Sequence, residues 1–172
     1  YQLRQVVTGA YSTHHPLLHT LALGGLLQLG RALGDINLGA ALYTALQMAL
    51  LAGCFALTCG SIARQSGARA AKRAAVFFAL YPLNMVMAVN ATKDVLFGGF
   101  FALTLALLNE IQEKPSRGLA LKIATCGALA VMLRNNMAYA ALAWLALWSV
   151  GSRRKGRNAA LAMLLALALG FG

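Results

Sequence analysis

Residues 36–73, INLGAALYTALQMALLAGCFALTCGSIARQSGARAAKR, decide how the chain is read. An apolar run from Ile36 to Ile62 ends in a basic cluster of Arg64, Arg69, Lys72 and Arg73. The run exceeds the roughly 20 apolar residues needed to cross a ~30 Å hydrocarbon core. A basic loop directly after such a run is what the cytoplasmic side of a membrane protein carries. The pattern recurs along the chain. Lys114, Arg117 and Lys122 form a second cluster, and Arg153, Arg154, Lys155 and Arg157 a third.

Composition points the same way. The chain is 60% hydrophobic and only 11% charged, against about 25% charged for an ordinary soluble domain. Fifteen Lys and Arg against four Asp and Glu give a formal charge of +11, and the mean hydropathy is +0.68. That charge does not read as nucleic-acid binding, because the bases lie in short runs between apolar segments without aromatic interleaving. Membrane lipids with anionic head groups are the partners it fits. Cys54, Cys59 and Cys126 lie inside apolar segments without metal-ligand spacing and read as packing residues. The chain opens on Tyr1 and closes within the apolar run Leu161 to Phe171. It reads as a piece that lacks an earlier element and later helices.

Six apolar segments are visible: Leu17–Leu33, Ile36–Ile62, Ala74–Val89, Val95–Leu108, Leu119–Leu133 and Ala138–Val150. A seventh begins near Asn158. Two apolar segments lie between each basic cluster and the next, so all three clusters share one side, the cytoplasmic one. Leu17–Leu33 is read as lying at the outer interface or re-entering, which keeps the residues before it outside. That segment carries His19, Gln28, Arg31 and the pair Gly24–Gly25, which suits an interfacial helix. The expected fold is therefore all-α, a polytopic transmembrane helical bundle with one interfacial or re-entrant helix on the outer face. Residues 1–35 form the external juxtamembrane part and residues 36–172 a bundle of about six spans. The protein is expected to be multi-pass in the cytoplasmic (inner) membrane. Val95–Leu108 is short for a span, so its helix must continue through Asn109 to Gln112, and the one ending at Val150 must also run on. Asp35 and Thr92 are placed to cap the helices after them, and Pro82 to kink or break its own, freeing a carbonyl.

This threading puts three polar motifs on the outer side: Thr13-His14-His15-Pro16, Thr92-Lys93-Asp94 and Arg134-Asn135-Asn136. Polar groups at membrane depth are costly and are retained for pairing or function. His15 and His19 share a helical face, which permits metal binding, acid–base chemistry or simple hydrogen bonding to backbone. Asp94 is accounted for by the dipole of its helix start. Lys93 is not, and a phosphate is one group that would hold it there. Arg134 offers a planar fork suited to phosphate, and Asn135 and Asn136 offer amides for hydroxyls. A snorkelling arginine at a helix end is the plainer alternative.

The order of His14-His15-Pro16-Leu17-Leu18, Tyr81-Pro82-Leu83, Thr92-Lys93-Asp94 and Arg134-Asn135-Asn136-Met137 resembles the GT-C superfamily of membrane glycosyltransferases. More narrowly, it is similar to bacterial relatives of the protein mannosyltransferase and aminoarabinose transferase group. The resemblance implies transfer of a sugar from a polyprenyl-phosphate donor on the outer face. The acceptor would be a lipid-linked glycan, a lipid or a protein. It also implies an acidic residue in the first external loop that acts as base or binds a divalent metal. No acid lies between Tyr1 and Gly34, so that residue would precede this stretch. By the same resemblance His14, His15 and Asp94 would serve catalysis. Lys93 and Arg134 would hold the donor phosphate, with Asn135 and Asn136 binding substrate beside them. Asp94 would orient Lys93 or meet a sugar hydroxyl.

Two other classes compete. A transporter or flippase would place polar residues deep in its spans, where Gln47, Asn84 and Thr104 are the candidates. A non-catalytic membrane subunit would tolerate alanine at all three outer motifs.

Overall fold

The computed structural model describes residues 17–134, 136–151 and 157–171. Among them it is all-α. Eight helices follow in order: α1 (Leu17–Ala32), α2 (Ile36–Ser66), α3 (Ala68–Leu80), α4 (Pro82–Ala88), α5 (Lys93–Glu113), α6 (Arg117–Leu133), α7 (Met137–Gly151) and α8 (Arg157–Phe171). Among the described residues, α2 and α5 are long and apolar enough to cross a membrane. The continuation expected past Leu108 is real, since α5 runs to Glu113. The helix expected to run past Val150 reaches Gly151, the last described residue before position 157.

Local chemistry sets the boundaries. Asp35 caps α2 as expected, its carboxylate accepting the Asn37 N–H at 2.8 Å. Thr92 occupies the cap position of α5, but its side chain makes no capping bond, which corrects that expectation. Between α2 and α3 a single residue turns the chain, Gly67 at φ +84°, a conformation that a side chain resists. Helix resumes at Ala68, earlier than the apolar pattern suggested, because Ala, Arg and Lys are good helix formers.

The expected break falls at Tyr81-Pro82. Proline has no N–H for the Phe78 carbonyl, and the Asn84 side-chain amide donates to that carbonyl instead, at 3.1 Å. Asn84→Ala should therefore cost about 1 kcal/mol. Adding Pro82→Ala should restore most of it, because the backbone N–H returns. Unfolding of the single and double variants in detergent micelles tests this, and an equal loss in both would show that Asn84 does not act through Phe78.

Three pairings fix how the helices run. Gln47 of α2 donates to the carbonyls of Ala88 and Asn90, just before α5, while Arg64 at the far end of α2 meets Glu110 at the far end of α5. The two helices are therefore parallel, and α3 with α4 carries the chain back between them. Arg134 after α6 meets Asp94 at the start of α5, so α5 and α6 are antiparallel. Gly127 packs on Ala166 and Val131 on Gly170, so α6 and α8 are parallel. The main core lies among α5, α6, α7 and α8, around Leu107, Leu108, Ile111, Ile123, Val131 and Met163. A smaller cluster of Leu23, Leu27 and Tyr43 joins α1 to α2.

The buried stripe of α2 is Gly39, Tyr43, Gln47, Leu51, Cys54, Thr58 and Ser61. Its exposed side carries Leu42, Leu46, Met48, Leu50 and Leu57. Apart from Leu51 and Tyr43, small and polar side chains face in while large apolar ones face out, the reverse of a helix on a soluble domain.

Candidate functional site

One end of the bundle gathers the starts of α1 and α5 with the end of α6. Lys93 and Asp94 open α5, and Arg134 closes α6 in extended conformation, its N–H bonded to the carbonyls of Ala130 and Val131. The Arg134 guanidinium lies 3.4 Å from the Asp94 carboxylate, with both side chains about half exposed. It also sits over the Phe97 ring, 5.4 Å from the centroid. A long, half-exposed ion pair is worth at most about 1 kcal/mol, and the ring contact adds a similar amount.

Two of the three sequence motifs thus meet in space, and they meet differently from expectation. Asp94 pairs across the bundle with Arg134 and not with its neighbour Lys93. Opposite helix ends explain the pair, since an acid suits a helix start and a base a helix end. Lys93 has no such account. Its ammonium stands at the start of α5, where the unbonded N–H groups already repel a cation. Asn136 is exposed in the turn between Arg134 and α7. His14, His15 and Asn135 lie outside the described residues.

His19 reads from the sequence as a partner for His15 and as one of the polar residues of an interfacial helix. It is buried in the first turns of α1, edge-on to Tyr43 with ring centroids 5.5 Å apart. Burial lowers its pKa, the charge of Lys93 lowers it further, and Asp94 opposes them. His19 therefore belongs electrostatically to the same end of the bundle.

From Asp94 an apolar groove of about 390 Å³ runs between α2, the broken α3–α4 arm and α5. Tyr81, Leu83 and Met87 line one side and Val95, Gly98 and Gly99 the other. A second groove of about 520 Å³, almost wholly apolar, lies on the other side of the same arm, around Phe55, Phe78 and Met85. No residue of α3 or α4 is buried.

The opposite end holds a group that the sequence reading passed over. Glu110 accepts two hydrogen bonds from Arg64, at 2.6 and 2.9 Å, and one from Ser61. Gln65 donates to Ser61, and Asn109 donates to Gln65. This network clamps α2 to α5.

Among the described residues no three His, Cys, Asp or Glu side chains come together. Asp94 is committed to Arg134 and Asp35 to its helix cap. The described side chains do not compose the divalent-metal site that the resemblance implies.

A family model described as "Family of unknown function (DUF6020)" matches residues 7–171. The chain belongs to that family. Neither the curated proteins nor the solved structures provide a match to it. For DUF6020, then, the arrangement around Lys93, Asp94 and Arg134 carries the functional argument.

Proposed function

We propose that this DUF6020 chain is part of a multi-pass membrane glycosyltransferase that moves a sugar from a polyprenyl-phosphate donor to an acceptor on the outer face of the cytoplasmic membrane. The observation that carries the reading is the pairing of Asp94 with Arg134, beside Lys93 at the start of α5, where Asp94 lines an apolar groove. A polyprenyl phosphate has that duality, with an anionic head and a long apolar tail. The head would lie against Lys93, Arg134 and the free N–H groups at the start of α5. The tail would lie in the groove beside Tyr81, Leu83 and Gly98. Fixed cations at that position stabilise the phosphate as it leaves, which is the largest single contribution available to glycosyl transfer here. Asp94 would hold Arg134 in place through their ion pair.

The outward-facing leucines of α2 support a lipid setting, because a soluble protein rarely exposes so continuous an apolar face. The basic loops after α2 and α5 share the end away from Asp94, in keeping with an outer site.

The transporter reading loses support. Gln47 bonds the carbonyls of Ala88 and Asn90, Asn84 that of Phe78 and Thr104 that of Phe100. All three side chains spend a donor on a backbone carbonyl.

In the full chain, Lys93→Ala and Arg134→Ala should each abolish sugar transfer from a polyprenyl-phosphate donor while membrane insertion stays normal. Cysteines at 93 and 134 should react with an impermeant reagent from outside the cell, and a cysteine at 72 should not. Undiminished transfer in both alanine variants, or labelling divided between 93 and 134, would remove the proposal.

A further inference from the structure

The larger apolar groove, about 520 Å³, has no part in the site at Asp94, which lines only the smaller one. Its α2 wall runs from Met48 to Cys59, about 17 Å at roughly 1.5 Å per residue. That is close to the half of a ~30 Å hydrocarbon core that one leaflet supplies. Alanines four apart on both walls, Ala52 and Ala56 on α2 and Ala75 and Ala79 on α3, keep it open. The Phe55 and Phe78 rings, stacked with centroids 4.2 Å apart, line both grooves and stand between them.

Beyond the Cys59 end of this groove the charge is uncompensated. Lys72, Ala75 and Ala79 share one face of α3, so Lys72 stands a turn before the groove wall, with Arg69 a turn further and Arg73 beside it. All three are exposed, and none makes an ion pair or hydrogen bond among the described residues. The chain has few acids to balance them. Asp35 caps α2 at its far end, Asp94 holds Arg134, and Glu110 is taken by Arg64 and Ser61. Glu113, the fourth, stands next to Lys114. The groove does not suit a peptide, because its one lining amide, Asn84, already donates to the Phe78 carbonyl and backbone groups laid there would lack partners. A second copy in the same membrane orientation would bring its own basic cluster against this one, and like charges oppose that.

We infer that the groove between α2 and the α3–α4 arm binds one acyl chain of an anionic phospholipid whose phosphate lies against Arg69, Lys72 and Arg73. Length, polarity and sign of charge all match. Basic residues beside a membrane helix attract anionic head groups, and long Lys and Arg side chains reach a head group while their stems rest on apolar surface. The inference needs the membrane setting but not the glycosyltransferase reading, since it uses the end of the bundle opposite Lys93 and Arg134. A lipid held there would cover α3 and α4, neither of which buries a residue of its own, and would tie the arm to α2.

The test uses the full chain in a mild uncharged detergent at low ionic strength, with retained lipid counted by native mass spectrometry. The probes are dioleoyl phosphatidylglycerol, its zwitterionic counterpart dioleoyl phosphatidylcholine, glycerol phosphate as the head group alone, and separately undecaprenyl phosphate. Phosphatidylglycerol should be retained as a single molecule per chain and in preference to phosphatidylcholine. The triple variant Arg69→Gln, Lys72→Gln and Arg73→Gln should need about a hundredfold more of it, about fivefold for each base removed. The double variant Ala56→Leu and Ala79→Leu fills the groove with the charges in place. Both alanines are exposed, so the fold has room for the change, and retention should weaken about tenfold, the burial of two methylene groups. Lys93→Ala should leave it unaltered. The inference is overturned if phosphatidylcholine is held as tightly, if the triple variant retains phosphatidylglycerol, or if the filled groove binds it as the parent does. Glycerol phosphate held as tightly as the lipid would overturn it too, as would a dimer that the leucine pair dissociates. Loss of phosphatidylglycerol in Lys93→Ala but not in the triple variant would move the lipid to the other end and remove this site alone. Retention of phosphatidylglycerol that the triple variant loses, with no binding of undecaprenyl phosphate, would keep this site and remove the donor assignment.

Discussion

Arg64→Ala is expected to destabilise the bundle by about 3 kcal/mol, and Glu110→Ala by only about 1 kcal/mol, although the two side chains belong to one ion pair. The asymmetry follows from where each goes when its partner is lost. The Arg64 side chain is 53% exposed and the Glu110 side chain 10%. An arginine deprived of Glu110 swings into water, and Ser61 keeps a second acceptor in the Ala106 carbonyl at 3.2 Å. A carboxylate deprived of Arg64 stays covered by α2 with only Ser61 to answer it. Breaking a buried pair from the side that leaves the charge inside costs about 3–5 kcal/mol. The lower end of that range applies because Glu110 lies near the end of α5, where water is close. Replacing both by leucine should recover most of the loss, since a pair swapped for apolar groups of similar volume is often neutral. Unfolding by SDS titration of both alanine singles and the leucine double measures this. Equal losses in the two alanine variants would show that Glu110 is as well hydrated as Arg64.

That network also marks where sequence reading stops. The helices themselves were legible, because apolar length, the Asp35 cap and Pro82 are local signals that no distant contact overrides. Lys93, Asp94 and Arg134 were legible as one group because the basic clusters fix a common side for them. The partner of Asp94 was not, because it depends on the relative register of α5 and α6, and nearness in sequence favoured Lys93. Glu110 sits close to Glu113 and Lys114 at a helix end beside a basic loop, where a lone acid reads as solvated. Its burial comes from α2, through Ser61 and Arg64, and only the parallel packing of α2 on α5 brings them together. His19 reads as an interfacial residue for the same kind of reason, since its cover comes from α2.

Gly39→Ala is expected to lift α1 from α2 and cost about 3 kcal/mol. Almost any other added methyl in this chain would meet less. A Cβ at Gly39 would strike the backbone of Leu26 and Leu27, and one at Gly30 would strike the backbone of Gly39. Because the obstacle is main chain and not the end of a flexible side chain, a change of rotamer cannot relieve it. Overpacking costs about 1–3 kcal/mol where side chains can yield, and here the upper end applies because a whole helix must move. Close backbone approach through small residues is how helices associate where lipid removes the usual hydrophobic drive. Gly25 makes the control. It lies in α1, with nothing within 4 Å of an added Cβ, so Gly25→Ala should stabilise by about 0.5–1 kcal/mol through helix propensity alone. Opposite signs for two Gly→Ala changes, read by SDS titration, would show that α1 is held by contact with α2. A loss of stability at both positions would mean that α1 rests on a surface that these contacts do not include. The consequence reaches the functional end, because α1 carries His19. If α1 lifts, His19 loses its edge-on contact with Tyr43, and Gly39→Ala should expose the His19 ring to water while Gly25→Ala leaves it buried.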